Sequence, residues 1–352
     1  MTWEAMLADL RAGKMAALAR AISLVENGRP GFEALLTAIH PSLGHARRIG
    51  ITGPPGAGKS TLTEELVAAY RARGLTVAVV AVDPTSPFTG GALLGDRIRM
   101  ESVALDDGVY IRSMATRGSL GGLATTTREV CDVLDAAGFD RILIETVGVG
   151  QSELDVTRSV DTTVLVLVPE SGDGIQVLKA GVIEVADLFV VNKADRPGAD
   201  RMRSELDVML GLRTGRTMKH VPAHHGALKS PGTAARRTTE AGARASQPDH
   251  EWTPPVLATV AVKGEGTAEL VAALDRHYDW MAGSATLEER RRRRLYQRTR
   301  EVVERAARQW IWNETAADQI ITARLDGVVA GEASPYEIAA LVLESLKQGA
   351  RV

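Results

Sequence analysis

Between Ile49 and about Ala282, short runs of β-branched and apolar residues take turns with segments whose apolar positions recur every three or four residues. The runs predict strands at Ile49 to Thr52, Val77 to Val82, Val109 to Ser113, Arg141 to Glu145, Thr163 to Val168, Leu188 to Asn192 and Val256 to Val262. Most are apolar at successive positions rather than at alternate ones, the pattern of strands covered by helices on both faces. An α/β fold with a mainly parallel central sheet follows. Residues 3 to 40 carry helical spacing in three pieces, broken by Gly13, by Asn27-Gly28-Arg29-Pro30 and by Pro41, which predicts a helical N-terminal extension over 1–45. The sheet domain then occupies 46–283, and helical spacing over about 298 to 312, 314 to 325 and 335 to 348 makes 284–352 a helical C-terminal arm. Within the sheet domain, about 213–250 is rich in Gly, Ala, Thr, Ser, Pro, His and basic residues and poor in large apolar ones, which predicts a loop or disordered insertion.

Composition narrows the classes. With 352 residues, 45% hydrophobic, 24% charged and a net charge of −2, the chain carries no global positive field that would draw it to nucleic acid or anionic lipid. Met1-Thr2-Trp3-Glu4 lacks a basic region followed by an apolar core, and no apolar run reaches about 18 residues, so a cytoplasmic protein with no membrane partner is expected. Cys131 is the only cysteine, which excludes an intramolecular disulfide and a multi-cysteine zinc site; its helical context reads as core packing. His220, His224, His225 and His250 fall in the low-complexity insertion, whose composition rarely supplies the ordered geometry of a metal site. Five consecutive arginines, Arg290 to Arg294, would spread round a whole helix and read as solvated surface with some salt bridging.

The chemistry concentrates at strand ends. Gly53-Pro54-Pro55-Gly56-Ala57-Gly58-Lys59-Ser60 fits the phosphate loop G-x-x-x-x-G-K-[ST], with a strand before it and an amphipathic helix, Ser60 to Arg73, after it. Glycines let such a loop turn its N–H groups around a β-phosphate, and the helix start adds partial positive charge. Lys59 is expected at the β and γ oxygens, the Ser60 hydroxyl on Mg²⁺, and Thr61 completes the run of candidate nucleotide contacts. Asn192-Lys193-Ala194-Asp195 follows its strand directly in the manner of the guanine motif N-K-x-D. The Asp195 carboxylate can accept from both the ring N–H and the exocyclic amino group of guanine, which adenine does not offer together. Lys193 would lie along the base, Asn192 would tie this loop to the phosphate loop, and Val260 and Ala261 stand where GTPases set a backbone N–H against guanine.

The strand Arg141 to Ile144 ends in Glu145-Thr146-Val147-Gly148, a D-x-x-G element with Glu in the Asp place. Glu145 would hold Mg²⁺ through water and the Gly148 N–H would meet a γ-phosphate. Val149 follows that glycine, so the water-positioning glutamine of small signalling GTPases is missing. Slow intrinsic hydrolysis, stimulated by a partner, is expected; Gln151 is the nearby candidate for the missing group. Asp83 and Asp96, in a polar glycine-rich loop after the second strand, read as further Mg²⁺ contacts that change when the γ-phosphate leaves, or alternatively as turn and helix-capping residues.

Together with Val82-Asp83-Pro84-Thr85-Ser86, Thr89-Gly90-Gly91, Gly95-Asp96-Arg97-Ile98-Arg99-Met100, Arg117-Gly118-Ser119-Leu120-Gly121-Gly122 and Glu145-Thr146-Val147-Gly148-Val149-Gly150-Gln151-Ser152, these motifs closely resemble the MeaB/ArgK family over roughly residues 3 to 282. The resemblance implies a P-loop GTPase of the SIMIBI type and a G-protein chaperone of methylmalonyl-CoA mutase. It implies a homodimer held partly by C-terminal helices, GTP/GDP with Mg²⁺ at Ser60, Asp83, Asp96 and Glu145, and a mobile loop around Glu170 to Lys179. The implied partner is an adenosylcobalamin-dependent acyl-CoA mutase, whose cofactor loading is gated by GTP hydrolysis and which is protected from inactivation. The insertion at 213–250 and the dense arginine run depart from the family pattern. No D-x-H-x-x-G cobalamin signature occurs, so the chain is expected to serve a B12 enzyme in trans. Competing readings are a nickel-insertion GTPase, disfavoured by the lone cysteine, a kinase of a transport-system binding protein, and a scaffold that binds nucleotide for structure alone.

Overall fold

The computed structural model describes residues 3–83, 100, 102–115, 122–146, 159–169, 182–213 and 252–349. The chain divides into two compact units, Met1–Arg290 and Arg291–Val352. In the first, seven strands form one sheet: β1 (Arg47–Thr52), β2 (Val77–Asp83), β3 (Val109–Ala115), β4 (Arg141–Thr146), β5 (Thr162–Leu167), β6 (Leu188–Asn192) and β7 (Val256–Thr259). Their order is β3-β2-β4-β1-β5-β6-β7, and every pairing is parallel. All positions of β4, β5 and β6 are buried, which accounts for their unbroken apolar runs.

Successive residues of each strand feed opposite faces. On one face Ile49, Ile51, Val77, Val79 and Leu143 pack with Leu62, Leu66 and Tyr70 of α4 (Lys59–Ala72) and Leu270 and Leu274 of the later helix Thr267–Gly283. On the other, Ala78, Val80, Val82, Ile142 and Ile144 meet Val130, Cys131 and Leu134 of α5 (Gly122–Ala136). The N-terminal helices α1 (Trp3–Arg11), α2 (Met15–Glu26) and α3 (Phe32–Ile39) join that same core through Leu10, Leu18, Ile22 and Leu35. Polar bonds fasten them: the Asp135 carboxylate accepts from the amides of Gly44, His45 and Ala46, while Arg48 donates to Asp132 at 2.8 Å and to Asp135 at 3.0 Å. Cys131 is buried.

Further along come α6 (Val182–Val185), α7 (Ala199–Arg213), α8 (Thr267–Gly283) and α9 (Thr286–Glu314). Three helices close the second unit: α10 (Ala317–Thr322), α11 (Leu325–Val329) and α12 (Pro335–Gly349). The last strand stops at Thr259 instead of reaching Val262, because Ala261–Lys263 winds into one 3₁₀ turn and Val260 makes an isolated bridge to Glu265. The predicted insertion at 213–250 falls almost wholly outside the described residues, as does the loop Glu170 to Lys179. No described helix is long and apolar enough to cross a membrane.

The arginine run differs from the sequence expectation at its first member. Arg290 sits beside the buried Asp187, donating to its two oxygens at 2.7 and 3.0 Å and to the Asp161 carbonyl at 3.0 Å. Asp187 also accepts from the Thr163 amide and lies 3.4 Å from His277 Nε2. Trp252 donates to the Asp187 carbonyl and stacks its edge on His277. Burial pushes the Asp187 carboxyl up, but the bonds from His277 and Arg290 outweigh it and hold it below the aspartate value of 3.8. A depressed pKa contributes stability that is fully present above the unfolded value and lost as pH falls through the folded one. Asp187→Ala is therefore expected to destabilise the chain by about 3 kcal/mol, since breaking a buried pair costs about 3–5 kcal/mol and Arg290 keeps some access to water. Urea unfolding at pH 7 and at pH 3 checks it: the difference between wild type and variant should shrink at the lower pH.

Candidate nucleotide site

The carboxyl ends of β2, β4, β1, β5, β6 and β7 follow one another along one edge of the sheet, and the described candidate residues stand at the ends of β1, β2, β4, β6 and β7 or in the loops that follow. In an open parallel sheet this edge, where connections diverge from β1 to either side, is the place for a ligand. The phosphate loop leaves β1 between β4 and β5. Its glycines are forced by the backbone and by close approach. Gly53 has φ +145° and a Cβ there would lie 2.1 Å from the Val166 carbonyl oxygen; Gly58 has φ +84° and a Cβ there would lie 2.4 Å from Asn192 Nδ2. Pro55 and Gly56 are exposed on the turn, while Pro54 and Ala57 are buried.

Lys59 opens α4 and is buried, its ammonium donating to the Gly53 and Pro54 carbonyls at 2.8 and 3.1 Å. Ser60 Oγ donates to Glu145 Oε1 at 2.6 Å, so two residues proposed from separate motifs meet at the ends of β1 and β4. Behind them the Thr146 hydroxyl donates to Thr52 Oγ1 at 3.2 Å, tying the same two strand ends. Thr61 follows on α4, half-buried. A hydroxyl and a carboxylate form an all-oxygen donor set, which suits Mg²⁺ rather than a softer ion. Asp83 ends β2 on the same edge. Gly148, Gln151 and Asp96 lie outside the described residues.

Asn192, 2% exposed, ties three loops together. Its Nδ2 donates to the Ala57 carbonyl in the phosphate loop at 2.8 Å; its Oδ1 accepts from the Thr259 hydroxyl at 3.0 Å and the Ala261 amide at 3.1 Å. Lys193 takes the left-handed conformation, φ +55°, and the Ala194 amide donates back to the Thr259 carbonyl. Asp195 is exposed and stands 3.8 Å from Lys263 Nζ. The amides of Val260 and Ala261 are engaged inside the protein, with the Glu265 carbonyl and with Asn192. The Ala261 amide therefore braces Asn192, the first residue of the N-K-x-D loop. The contacts of Thr52, Thr146 and Lys263 escaped the sequence reading; a hydroxyl at a strand end carries no motif, and only the pairing of β1 with β4 brings the two threonines together.

A model of the family described as methylmalonyl Co-A mutase-associated GTPase MeaB matches residues 18–316. The chain belongs to this family. A Pyrococcus abyssi protein named as a GTPase is 45% identical over 300 residues, covering 85% of this chain and 83% of its own. The mouse methylmalonic aciduria type A homolog, described as mitochondrial, is 49% identical over 148 residues, covering 42% of this chain and 36% of its own. A crystal structure of a protein named LAO/AO transport system kinase superposes with a TM-score of 0.63 at 27% identity, covering 98% of this chain and 97% of that one. As a member of this GTPase family the chain binds GTP and GDP and hydrolyses GTP.

The contact between Gly58 and Asn192 gives a direct test. Gly58→Ala must displace the Asn192 amide from the Ala57 carbonyl, and GTP affinity by calorimetry is expected to fall at least about tenfold, the equivalent of about 1.4 kcal/mol or one buried hydrogen bond. Unchanged affinity would mean that this contact does not hold the two loops in register for the nucleotide.

Proposed function

We propose that the chain is a G-protein chaperone that gates adenosylcobalamin loading of an acyl-CoA mutase and protects that enzyme, methylmalonyl-CoA mutase being the client. The observation that carries the GTP half is the Asn192 amide spanning Ala57, Thr259 and Ala261, which joins a phosphate-cradling loop to a guanine-type carboxylate loop. The family description and the mouse relative support the mutase half.

Each candidate residue takes a role in this reading. The Lys59 ammonium, now on two neutral carbonyls, has anionic phosphate oxygens as stronger acceptors. Ser60 and Glu145 would hold Mg²⁺, with Asp83 and Asp96 from the adjoining loop, and the ion would neutralise charge on the β and γ oxygens. Asp195 would accept from guanine, Lys193 would flank the base, and Gly148 and Gln151 would serve the γ-phosphate and the attacking water. Valine rather than glutamine follows Gly148, which is why slow turnover and stimulation by the mutase belong to the proposal. A homodimer through the C-terminal arm is part of it too. The second unit buries Ala317, Ile338 and Val342 and leaves Trp310, Trp312, Leu341 and Leu343 exposed, apolar side chains that a second copy would cover in this reading.

A kinase of a transport-system binding protein is the second reading, favoured by the kinase name of the protein whose crystal structure superposes on this chain. GTP turnover by the purified chain, alone and with methylmalonyl-CoA mutase, separates the two. A rise of at least about tenfold on adding mutase is expected, within the range by which partners stimulate GTPases; no rise, with labelled phosphate appearing on an acceptor protein, would replace the chaperone with the kinase. Lys59→Ala is expected to abolish turnover, and Glu145→Ala to lose its Mg²⁺ dependence, both read by phosphate release. Asp195→Asn should lower GTP affinity at least about tenfold and favour xanthosine triphosphate, since a hydrogen bond to a charged group contributes about 1.5–3 kcal/mol. Retained GTP preference would remove the base-reading assignment.

A further inference from the structure

The opposite edge of the sheet carries a second charged cluster that the nucleotide reading does not use. Arg47 opens β1, Arg141 opens β4, Tyr70 lies in the last turn of α4 with Arg73 just after it, and Asp275, Tyr278 and Asp279 lie along α8. Three guanidinium groups converge on the Asp275 carboxylate: Arg73 at 2.8 Å, Arg47 at 3.1 Å and Arg141 at 3.6 Å. Asp279, 70% exposed, reaches Arg47 at 3.6 Å. Among the described residues, three positive groups thus share two carboxylates, one of them at the rim. The rings add cation–π contacts and no hydrogen-bond acceptor is gained from their faces: Arg47 sits 4.0 Å from the Tyr278 ring centroid, and Arg141 5.2 Å and Arg73 5.9 Å from that of Tyr70.

Donors outnumber acceptors here in a second, independent way. Arg141 is 8% exposed and gives one N–H to the Asp140 carbonyl, yet its Nε, buried, has no hydrogen-bond partner among the described residues. The Tyr70 hydroxyl is fully buried beside the Arg141 guanidinium, and its proton meets no acceptor among the described residues. Burial pushes the Tyr70 phenol up to about 12 against the pull of Arg141, so it stays a neutral donor at working pH. Buried donors are ordinarily satisfied, and leaving one unmet costs about 1–3 kcal/mol. Arg73 and Arg47 keep the cluster open to solvent, with side chains 47% and 27% exposed.

We propose that this cluster is a second anion site, which takes a phosphate-class oxyanion, either inorganic phosphate or the terminal phosphate of a small molecule, on Arg47, Arg73 and Arg141. A tetrahedral dianion brings several acceptor oxygens and two charges, which matches planar guanidinium groups better than a further carboxylate would. The site stands at the amino ends of β1 and β4, the nucleotide loops at their carboxyl ends, so the two are filled separately and this inference does not depend on the chaperone reading.

The full chain, saturated with GDP and Mg²⁺ so that the phosphate loop is occupied, is titrated calorimetrically at constant ionic strength with inorganic phosphate, pyrophosphate and a phosphomonoester such as glycerol phosphate. Saturable binding is expected, with whichever of the three binds tightest naming the source. Arg73→Ala should weaken it at least tenfold, and Asp279→Asn, which removes a competing exposed carboxylate, should tighten it. Lys59→Ala should leave it in place. Absence of saturable binding, equal binding by Arg73→Ala, weaker binding by Asp279→Asn, or loss in Lys59→Ala alone would each overturn the proposal, the last by returning the phosphate to the nucleotide site.

Discussion

One amide side chain holds the recognition edge together. Asn192 gives its N–H to the loop after β1 and takes two donors from the end of β7 and the turn after it, so the loop of the phosphate motif, the loop of the N-K-x-D motif and the last turn of the sheet are one hydrogen-bonded body. The group is 2% exposed, where hydrogen bonds act in a low dielectric and an unmet donor or acceptor is costly. Few side chains can do this. An aspartate could not donate to Ala57, and a leucine would leave the Thr259 hydroxyl, the Ala261 amide and the Ala57 carbonyl without partners. Gly58 is the complementary constraint, because a Cβ there would occupy the place of the Asn192 amide.

The second half of the site is joined by a different bond. Ser60 and Glu145 meet at 2.6 Å where β1 and β4 run side by side, and the threonine pair behind them fixes the distance between the same strand ends. In the proposed site, recognition of the base would be anchored on β6 and β7, while the oxygens proposed for the metal belong to β1 and β4. With β5 lying between the two groups, a nucleotide held as proposed would span the middle of the sheet. The glutamate compensates for its extra methylene by reaching the first turn of α4 directly, which a residue at the end of β4 can do because β1 is its neighbour.

Much of this was legible because the local and the long-range signals agree. The apolar runs gave the seven strands, and the break at Gly53 to Gly58 gave the loop, since only glycine tolerates the φ values found there. The motif Asn192 to Asp195 announced itself by position after a strand. What periodicity could not supply is contact across the sheet. The strand predicted to reach Val262 ends at Thr259, because the amide of Ala261 turns to Asn192, a partner 69 residues away. The arginine run read as solvated surface, yet Arg290 meets a buried carboxylate 103 residues earlier in the chain. A helical run of like charges looks uniform along the sequence; only the neighbour at each position distinguishes its members.

That buried carboxylate bears on the site through β6. Asp187 immediately precedes the strand and Asn192 ends it, and all five residues between and including Leu188 and Asn192 are buried. At the amino end the carboxylate is held by Arg290, His277 and the Thr163 amide; at the carboxyl end the amide is held by three loops. A strand fixed by polar groups at both ends and by packing along its length cannot slip by one residue without breaking both sets, since a slip would also turn every side chain to the other face. The register of β6 is what sets Asp195 at its height above the sheet. The charge pair at the root of α9 and the carboxylate proposed to meet the base are therefore joined through the same short strand, and a variant at Asp187 that folds should be judged by its nucleotide affinity as well as by its stability.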